Sequence, residues 1–457
     1  MMNLPIEEKQ LYSFDGFQSV RGQVVYPEKQ RDLQVLNKFT GNMIPRGAGL
    51  SYSLASADKD VLSISSEGFN RILEFKAATQ TVLVESGVSF GQLLKFLYAK
   101  NRWLHPIPGY PDITIGGAIG FNVHGKSQFQ SGVFADWVES ITLLQPEKGL
   151  TTASRFENSE LFELTMGGMG LTGFILQAEI RTVPLPDKSI QRKRHKIQNF
   201  DQALALFKNP DSNVALFSWH TFKDGRFGAG FVYEDSFSPI EVRAKAFKWK
   251  GLHHPPRTSA FFDRLKVLAT RLVPFVYGIQ ESLRPSIATL DIFTAAFPFV
   301  GKEIYHNLFG RSGVLEYQLL IPMDRLNKFL HELEVRVKDL EIRPTMVSLK
   351  RFRGQRKFLT FNGDGLCLSI DVLNSRHSLK FFAALDFLCT KYGCLPNISK
   401  DSRLPLKVIK ATYGVEYELF KTQIEKLALP FSSALSRKLG LNIEPLPEPN
   451  ANPGLEL

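Results

Sequence analysis

The sequence predicts an α+β chain of more than one domain, on three observations. Short strand-like runs separated by glycine-rich turns fill the first 184 residues, strands alternate with amphipathic helices through the middle, and 457 residues exceed one ordinary domain. Hydrophobic residues make up 44% and charged residues 22%, a globular balance that excludes disordered and fibrous classes. The 37 phenylalanines call for large dry interior or pocket surfaces.

In chain order, residues 61–64 and 81–85 read as strands. Ser89 caps a helix that runs to Tyr98 and carries Phe90, Leu93, Leu94 and Leu97 on one face. Residues 141–144 and 174–180 return to strand, and Pro184-Leu185-Pro186 marks a break. Beyond it, 227–232, 315–321 and 366–372 read as strands, 325–337 and 378–391 as amphipathic helices. Residues 236–300 are the least regular stretch, and the Pro-, Asn- and Gly-rich tail from Pro445 is expected to fray.

The net charge of +11 is concentrated. Residues 1–184 carry −2, residues 185–394 carry +12 and residues 395–457 carry +1. A basic middle segment points to nucleic acid, a membrane surface or an anionic substrate. Cys367, Cys389 and Cys394 form neither a disulfide framework nor paired zinc-ligand spacing, which fits a reducing compartment. Met1 to Glu8 lack a basic-then-apolar leader, and no run of 18 uncharged apolar residues occurs, so the expected location is cytoplasmic or peripheral at a membrane surface. His253-His254 has no Cys or carboxylate at ligand spacing and reads as a loop pair, not a metal site.

Three glycine clusters carry the functional signal. The first is Pro45-Arg46-Gly47-Ala48-Gly49-Leu50-Ser51-Tyr52; the second joins Pro108-Gly109 to the run from Thr114 to Lys126; the third is Gly167-Gly168-Met169-Gly170-Leu171-Thr172-Gly173. Glycine lets backbone N–H groups close on phosphate oxygens. One such loop is an ordinary turn. Three between residues 45 and 173, each beside a strand, point to a phosphate-bearing cofactor. No Gly-x-Gly-x-x-Gly opens a helix in a first βαβ unit, which disfavours a Rossmann dehydrogenase.

In order and spacing these residues resemble the flavin oxidases of the vanillyl-alcohol oxidase/p-cresol methylhydroxylase (PCMH) type. The resemblance rests on Arg46 to Tyr52, Thr114 to Ile119, His124-Gly125-Lys126, Glu160-Leu161-Phe162 and Gly170 to Gly173. It returns at Tyr317-Gln318 with Ile321-Pro322, at Leu349-Lys350-Arg351-Phe352 and at Lys400-Asp401-Ser402-Arg403, and is weakest across 190–310. It implies a PCMH-type FAD-binding domain in two parts, residues 1–186 and 395–457. Between them, at 187–394, would lie a substrate domain built on an antiparallel sheet flanked by helices. Pro45, Arg46, Gly47, Ala48, Gly49, Leu50, Ser51 and Tyr52 would take the FAD pyrophosphate, completed by Gly109, Thr114, Ile115, Gly116 and Gly117. Phe121, Asn122, Val123, His124 and Ile175 would line the flavin, with Gly170, Thr172 and Gly173 also at the cofactor. Covalent relatives carry a flavin-linking His one residue after the first Gly-x-Gly; Leu50 stands there, which implies noncovalent FAD.

The implied activity is FAD-dependent oxidation of a secondary alcohol on a sugar, the 2′-hydroxyl of a polyprenyl-phosphate-linked pentose. It would be the first half of an epimerisation in cell-envelope biosynthesis, completed by a separate nicotinamide-dependent reductase. Moving a hydride to flavin leaves a hydroxyl proton to be removed. Lys400 and His124 are the candidate bases, Lys400 favoured, with Tyr52 hydrogen-bonding nearby. A lysine base needs its pKa lowered by burial or positive neighbours, and Asp401 would oppose that if it points the same way. Gln318 and Lys350 match pocket residues of the family, and Lys126 is a further candidate contact. Cys367 and Ser369, also candidate substrate contacts, stand where the family has Asn-x-Cys on this pocket strand, so polar contacts to a sugar would be arranged differently, and Asn397 stands where it has Tyr. Cys367 reads as packing rather than a nucleophile, and Arg353, Arg356 and Lys357 as a solvated strand end.

Rival readings are a soluble aldonolactone or alditol oxidase on the same fold and a flavin-less binding protein. A nucleic-acid binder would explain the charge but not the glycines. Residues 236–300 would meet a membrane surface through the interleaved basic and apolar side chains of 243–277.

Overall fold

Four short strands open the fold, β1 (Ile6–Tyr12), β2 (Ser19–Val25), β3 (Asn42–Arg46) and β4 (Val61–Ser65), in the order β1-β2-β4-β3 with β4 parallel to both its neighbours. The structure is a computed structural model. It describes residues 4–34, 37, 39–208, 210–211, 214–223, 226–242, 247–249, 260–302 and 304–441. An antiparallel sheet follows from β5 (Ile72–Lys76), β6 (Thr81–Glu85), β8 (Val138–Gln145), β9 (Gly149–Ser154) and β10 (Phe174–Arg181), in the order β5-β6-β10-β8-β9. The short β7 (Arg102–Trp103) pairs with β11 (Val183–Pro184).

Between β6 and β8, the Ser89 hydroxyl accepts the Gln92 N–H at 3.2 Å and starts the helix Phe90–Ala99. Phe90, Leu93, Leu94 and Leu97 recur at helical spacing and are buried with Ile115, Ile119, Phe134 and Ile175 in one core. Each such side chain contributes about 1.5–3 kcal/mol on burial. This stripe clamps the helix to the sheet that carries the second and third glycine clusters.

The middle of the chain builds an eight-stranded sheet from β12 (Ser189–Ile197), β13 (Ala215–Lys223), β14 (Arg226–Ser238), β15 (Ile287–Asp291), β16 (Val314–Ile321), β17 (Pro344–Phe352), β18 (Gly365–Leu373) and β19 (Leu395–Pro396). Its order is β15-β12-β14-β13-β17-β18-β16-β19, antiparallel at every pairing. Helices Leu326–Asp339 and Arg376–Lys391 cover one face, burying Phe329, Leu333, Phe382 and Leu385 with Tyr317, Leu319 and Leu368. Side chains alternate along a strand. Glu316 and Gln318, Lys350, and Cys367, Ser369 and Asp371 therefore share the opposite face, with Glu316 against Asp371, Gln318 against Ser369 and Lys350 against Cys367.

The chain then returns to its beginning. The Tyr52 N–H donates to the Ser399 carbonyl at 3.1 Å, Met43 N–H to Pro430 at 2.8 Å and Ser432 N–H to Met43 at 3.0 Å. Arg403 anchors the return. Its guanidinium bonds Asp386 at 2.7 and 3.0 Å and Asp401 at 2.7 Å, against the rings of Tyr317 and Phe382.

One stretch departs from expectation. Within residues 236–300, expected to be irregular, lie the 23-residue helix Ala260–Ser282, β15 and the helix Ile292–Ala296. Apolar side chains fall on both sides of the long helix, which blurs its period, and Pro274 reads as a breaker although it sits inside. The tail from Pro445 and His253-His254 lie outside the described residues. No helix among the described residues is long and apolar enough to cross a membrane.

Replacing Arg403 with Met strips two buried carboxylates of their guanidinium, and breaking such a buried pair costs about 3–5 kcal/mol. The urea midpoint of R403M is expected to fall far below wild type. An unchanged midpoint would mean the returning segment is held elsewhere.

Candidate active site

The loop after β3, the turn entered at Thr114 and the loop before β10 face one another across a cavity of about 1150 Å³. Their glycines are needed at backbone distance. A Cβ on Gly47 would lie 2.3 Å from Thr114 Oγ1, and one on Gly116 2.9 Å from Ser86 Cβ. Thr114 Oγ1 accepts the Gly117 N–H at 3.2 Å and fixes that turn. Arg46 lines the cavity and donates to Ser56 Oγ at 2.9 Å, and burial lowers its pKa, a cost that an anion in the cavity would offset. Closely approaching backbone and one arginine suit a pyrophosphate; Phe121, Val123 and Ile175 supply apolar walls for an aromatic ring system.

Of the residues expected at the cofactor, Pro45, Arg46, Gly47, Ala48, Gly49, Leu50, Ser51, Tyr52, Thr114, Gly116, Gly117, Phe121, Val123, Gly170, Thr172, Gly173 and Ile175 line this cavity. Gly109, Ile115, Asn122 and His124 are not among its lining residues. Ile115 is buried in the core behind it, and Asn122 Oδ1 accepts the Ala135 N–H at 2.9 Å. Ser56, Ser66, Ser86 and Ser399 line it unforeseen. Single serines at strand ends carry no spacing that would have marked them.

At one end Ser399 and Lys400 reach the cavity from the returning segment. Lys400 Nζ lies 3.2 Å from Glu316 Oε2 and 4.2 Å from the centre of the Tyr52 ring. Asp401 does not compete, because its carboxylate takes the Arg403 N–H at 2.9 Å and the guanidinium at 2.7 Å. Glu316 is therefore the lysine's carboxylate partner, a residue that sequence reasoning passed over. Asn397 Nδ2 donates to Gln318 Oε1 at 2.6 Å, Gln318 Nε2 donates to Ser369 Oγ at 2.7 Å, and Asn397 Oδ1 accepts from Ser399 N–H and Oγ at 3.0 and 2.8 Å. The asparagine thus ties the pocket strands to the Lys400 turn.

Burial sets the protonation states here. The Tyr52 hydroxyl is pushed well above its ordinary value and stays a neutral phenol. Burial, then Lys350 and Lys400, hold His124 well below the usual histidine range, so its ring is neutral beside Phe352 and Phe361. Burial and Glu316 raise the Asp371 carboxyl well above normal; its Oδ2 accepts the Tyr305 hydroxyl at 3.0 Å. Burial pushes the Cys367 thiol up to about 12, so it supplies no thiolate and packs beside Lys350.

Lys126 makes a structural tie that its sequence position does not announce. It donates to the Ala295 carbonyl, lies 3.8 Å from Asp235 and 4.7 Å from the centre of the Phe217 ring, and burial lowers its pKa to about 8. These contacts tie the glycine turn to the large sheet. Residues 120–127 also have the Gly-x-x-x-x-Gly-Lys-Ser spacing of a nucleotide-hydrolase loop. The structure gives them no such context, because Gly120 ends a helix instead of following a strand. Among the described residues no group of three His, Cys, Asp or Glu could hold a metal ion.

Residues 22–154 match a family model described as an FAD binding domain. Decaprenylphosphoryl-beta-D-ribose oxidase of Mycolicibacterium smegmatis is 25% identical over 391 residues, 81% of this chain and 83% of that protein. The chain is an FAD-dependent oxidoreductase. Its FAD-binding domain is of the PCMH type. Xylooligosaccharide oxidase from Myceliophthora thermophila C1, solved with xylobiose, shares the fold at a TM-score of 0.68 over 93% of this chain and 94% of that one, at 13% identity. D-arabinono-1,4-lactone oxidase of Debaryomyces hansenii is 27% identical over 36% of this chain and 31% of its own length.

In this flavoprotein a Gly47→Val side chain would collide with Thr114. The purified variant is expected to lose its visible flavin absorbance about tenfold or more relative to wild type, since no space remains for the loop to close. Full retention of flavin would remove the first glycine loop from the cofactor site.

Proposed function

We propose that the enzyme oxidises the 2′-hydroxyl of a polyprenyl-phosphate-linked pentose. The observation that carries the reaction type is the Lys400–Glu316 pair, set against the Tyr52 ring where the cofactor cavity meets the polar face of the large sheet. Bound FAD supplies the hydride acceptor. Lys400 receives the hydroxyl proton as it passes its own to Glu316, so the pair takes up one proton in all. His124 is a poor base, because its protonation would place a third cation beside Lys350 and Lys400. Its neutral ring instead accepts a hydrogen bond and orients the sugar. Gln318, Ser369 and Lys350 are the polar contacts of the pocket, Gln318 being held by Asn397.

Two facts support a lipid-linked sugar over a free lactone. The similarity to the mycobacterial enzyme spans 81% of the chain, whereas that to the lactone oxidase spans 36%. A second cavity also reaches Tyr52 and runs past Phe14, Asp15, Tyr305 and Asp371 to the exposed Arg311, which offers a cation to a linker phosphate. In this reading residues 1–186 and 395–457 hold FAD noncovalently, with Leu50 in place of a flavin-linking histidine. Residues 187–394 hold the substrate, and a separate nicotinamide-dependent reductase reduces the keto product.

Anaerobic flavin bleaching with prenyl-phosphate pentoses, free sugars and aldonolactones tests the substrate. Bleaching by lactones alone would move the enzyme to the lactone oxidases. Lys400→Ala should retain FAD and bleach about 10²–10⁴ times more slowly, the range for loss of a general base; an unchanged rate would exclude Lys400. Because burial and the neighbouring lysines hold His124 neutral through the usual histidine range, His124→Gln should slow bleaching without moving the acid limb of the pH profile. A displaced limb would make His124 the titrating base.

A further inference from the structure

The Ala260–Ser282 helix packs Ala269 and Tyr277 inward and carries a second apolar face turned outward. Its inward side carries polar anchors: Glu281 is ion-paired with Arg194 at 3.0 Å and accepts the Tyr233 hydroxyl at 3.0 Å, and Asp263 accepts the Arg311 N–H at 2.8 Å. Its outward side is apolar. Phe261 is 65% exposed, Phe275 64% and Leu283, just past the helix, 81%, and Leu268, Leu272 and Ile279 fill the spacing between them. An amphipathic helix of a free-standing domain buries this stripe; here it faces out as a continuous ridge.

Charge identifies the occupant. Arg264 and Arg271 lie within the same exposed face, and the helix's two carboxylates, Asp263 and Glu281, are turned away from it. Asp263 and Glu281 are engaged by Arg311 and Arg194 at its edges. Beside the ridge a groove of about 1490 Å³ adds Lys338 and Arg343 to Arg271, against the single carboxylate Glu341. A second copy of the chain would bring arginine against arginine across a twofold axis without a compensating acid. A bilayer with anionic headgroups takes both the apolar ridge and the arginines. We propose that this helix lies in the interface of an anionic membrane and docks the enzyme there. The inference stands independently of the substrate reading, although the cavity from Tyr52 opens at Arg311, next to the helix's first turn.

The test is co-sedimentation of the full-length, FAD-loaded protein with phosphatidylcholine vesicles, with and without about 30% phosphatidylglycerol, at low salt and at about 0.5 M NaCl. Wild type should sediment with the anionic vesicles at low salt and much less with neutral ones. Leu272→Asp with Phe275→Asp should lower the bound fraction at least about tenfold with flavin absorbance unchanged, and Arg264→Gln with Arg271→Gln should abolish the preference for anionic vesicles. Wild type that ignores both vesicles, or a double-aspartate variant that binds like wild type, would overturn the proposal. So would a wild-type dimer that this variant splits on size-exclusion chromatography without any vesicle binding, which would assign the ridge to a second copy.

Discussion

Everything at the candidate site depends on how residues 397–403 cross from the large sheet to the cofactor cavity. Asn397 hydrogen-bonds Gln318 at 2.6 Å, the Ser399 carbonyl accepts the Tyr52 N–H at 3.1 Å, and Arg403 locks the turn onto Asp386. These bonds bring a lysine from near the C-terminus, a tyrosine from the first glycine loop and a glutamate from the middle of the chain into contact. Buried hydrogen bonds of this kind fix geometry more than they add stability, because each replaces a bond to water. Loosening any of them would leave the lysine without a defined direction.

The fold was legible where local pattern and tertiary role agree. The cap at Ser89, the stripe from Phe90 to Leu97 and the strand at Thr81–Glu85 were readable because burial uses the period the residues display. The Ala260–Ser282 helix was not, since a second apolar face points outward and blurs the stripe that the core selects. Glycine clusters were readable because their constraint is backbone space, visible residue by residue. Glu316 was not readable. Its role comes from facing Lys400 across 84 positions of sequence, and a lone acid on a strand has no spacing to betray that. Lys126 is the complementary case: its place in a conspicuous glycine run suggests a ligand, while its tie to Asp235 and the Ala295 carbonyl leaves no mark in the sequence.

The uneven charge now has a structural meaning. The first 184 residues, which supply most of the cofactor cavity, are slightly acidic in net charge, and the surplus of +12 lies in residues 185–394. Arg192 and Arg194 are not part of it, being matched by Asp235 and Glu281 of the same stretch. Part is left on the outer ridge and groove as Arg264, Arg271, Lys338 and Arg343. A further share is Lys350, which with Lys400 from the returning segment adds to burial in holding His124 neutral. One composition figure thus resolves into a charged surface and a tuned pocket.

The central claim is that Lys400, backed by Glu316, is the group that meets the reacting hydroxyl. It is tested most directly by the crystal structure of the FAD-bound enzyme with a non-oxidisable prenyl-phosphate pentose analogue. The account predicts the sugar 2′ substituent within hydrogen-bonding distance of Lys400 Nζ while Glu316 stays on the lysine's far side. A sugar bound with that position turned to Lys350 or to solvent, and Lys400 touching only protein, would contradict it.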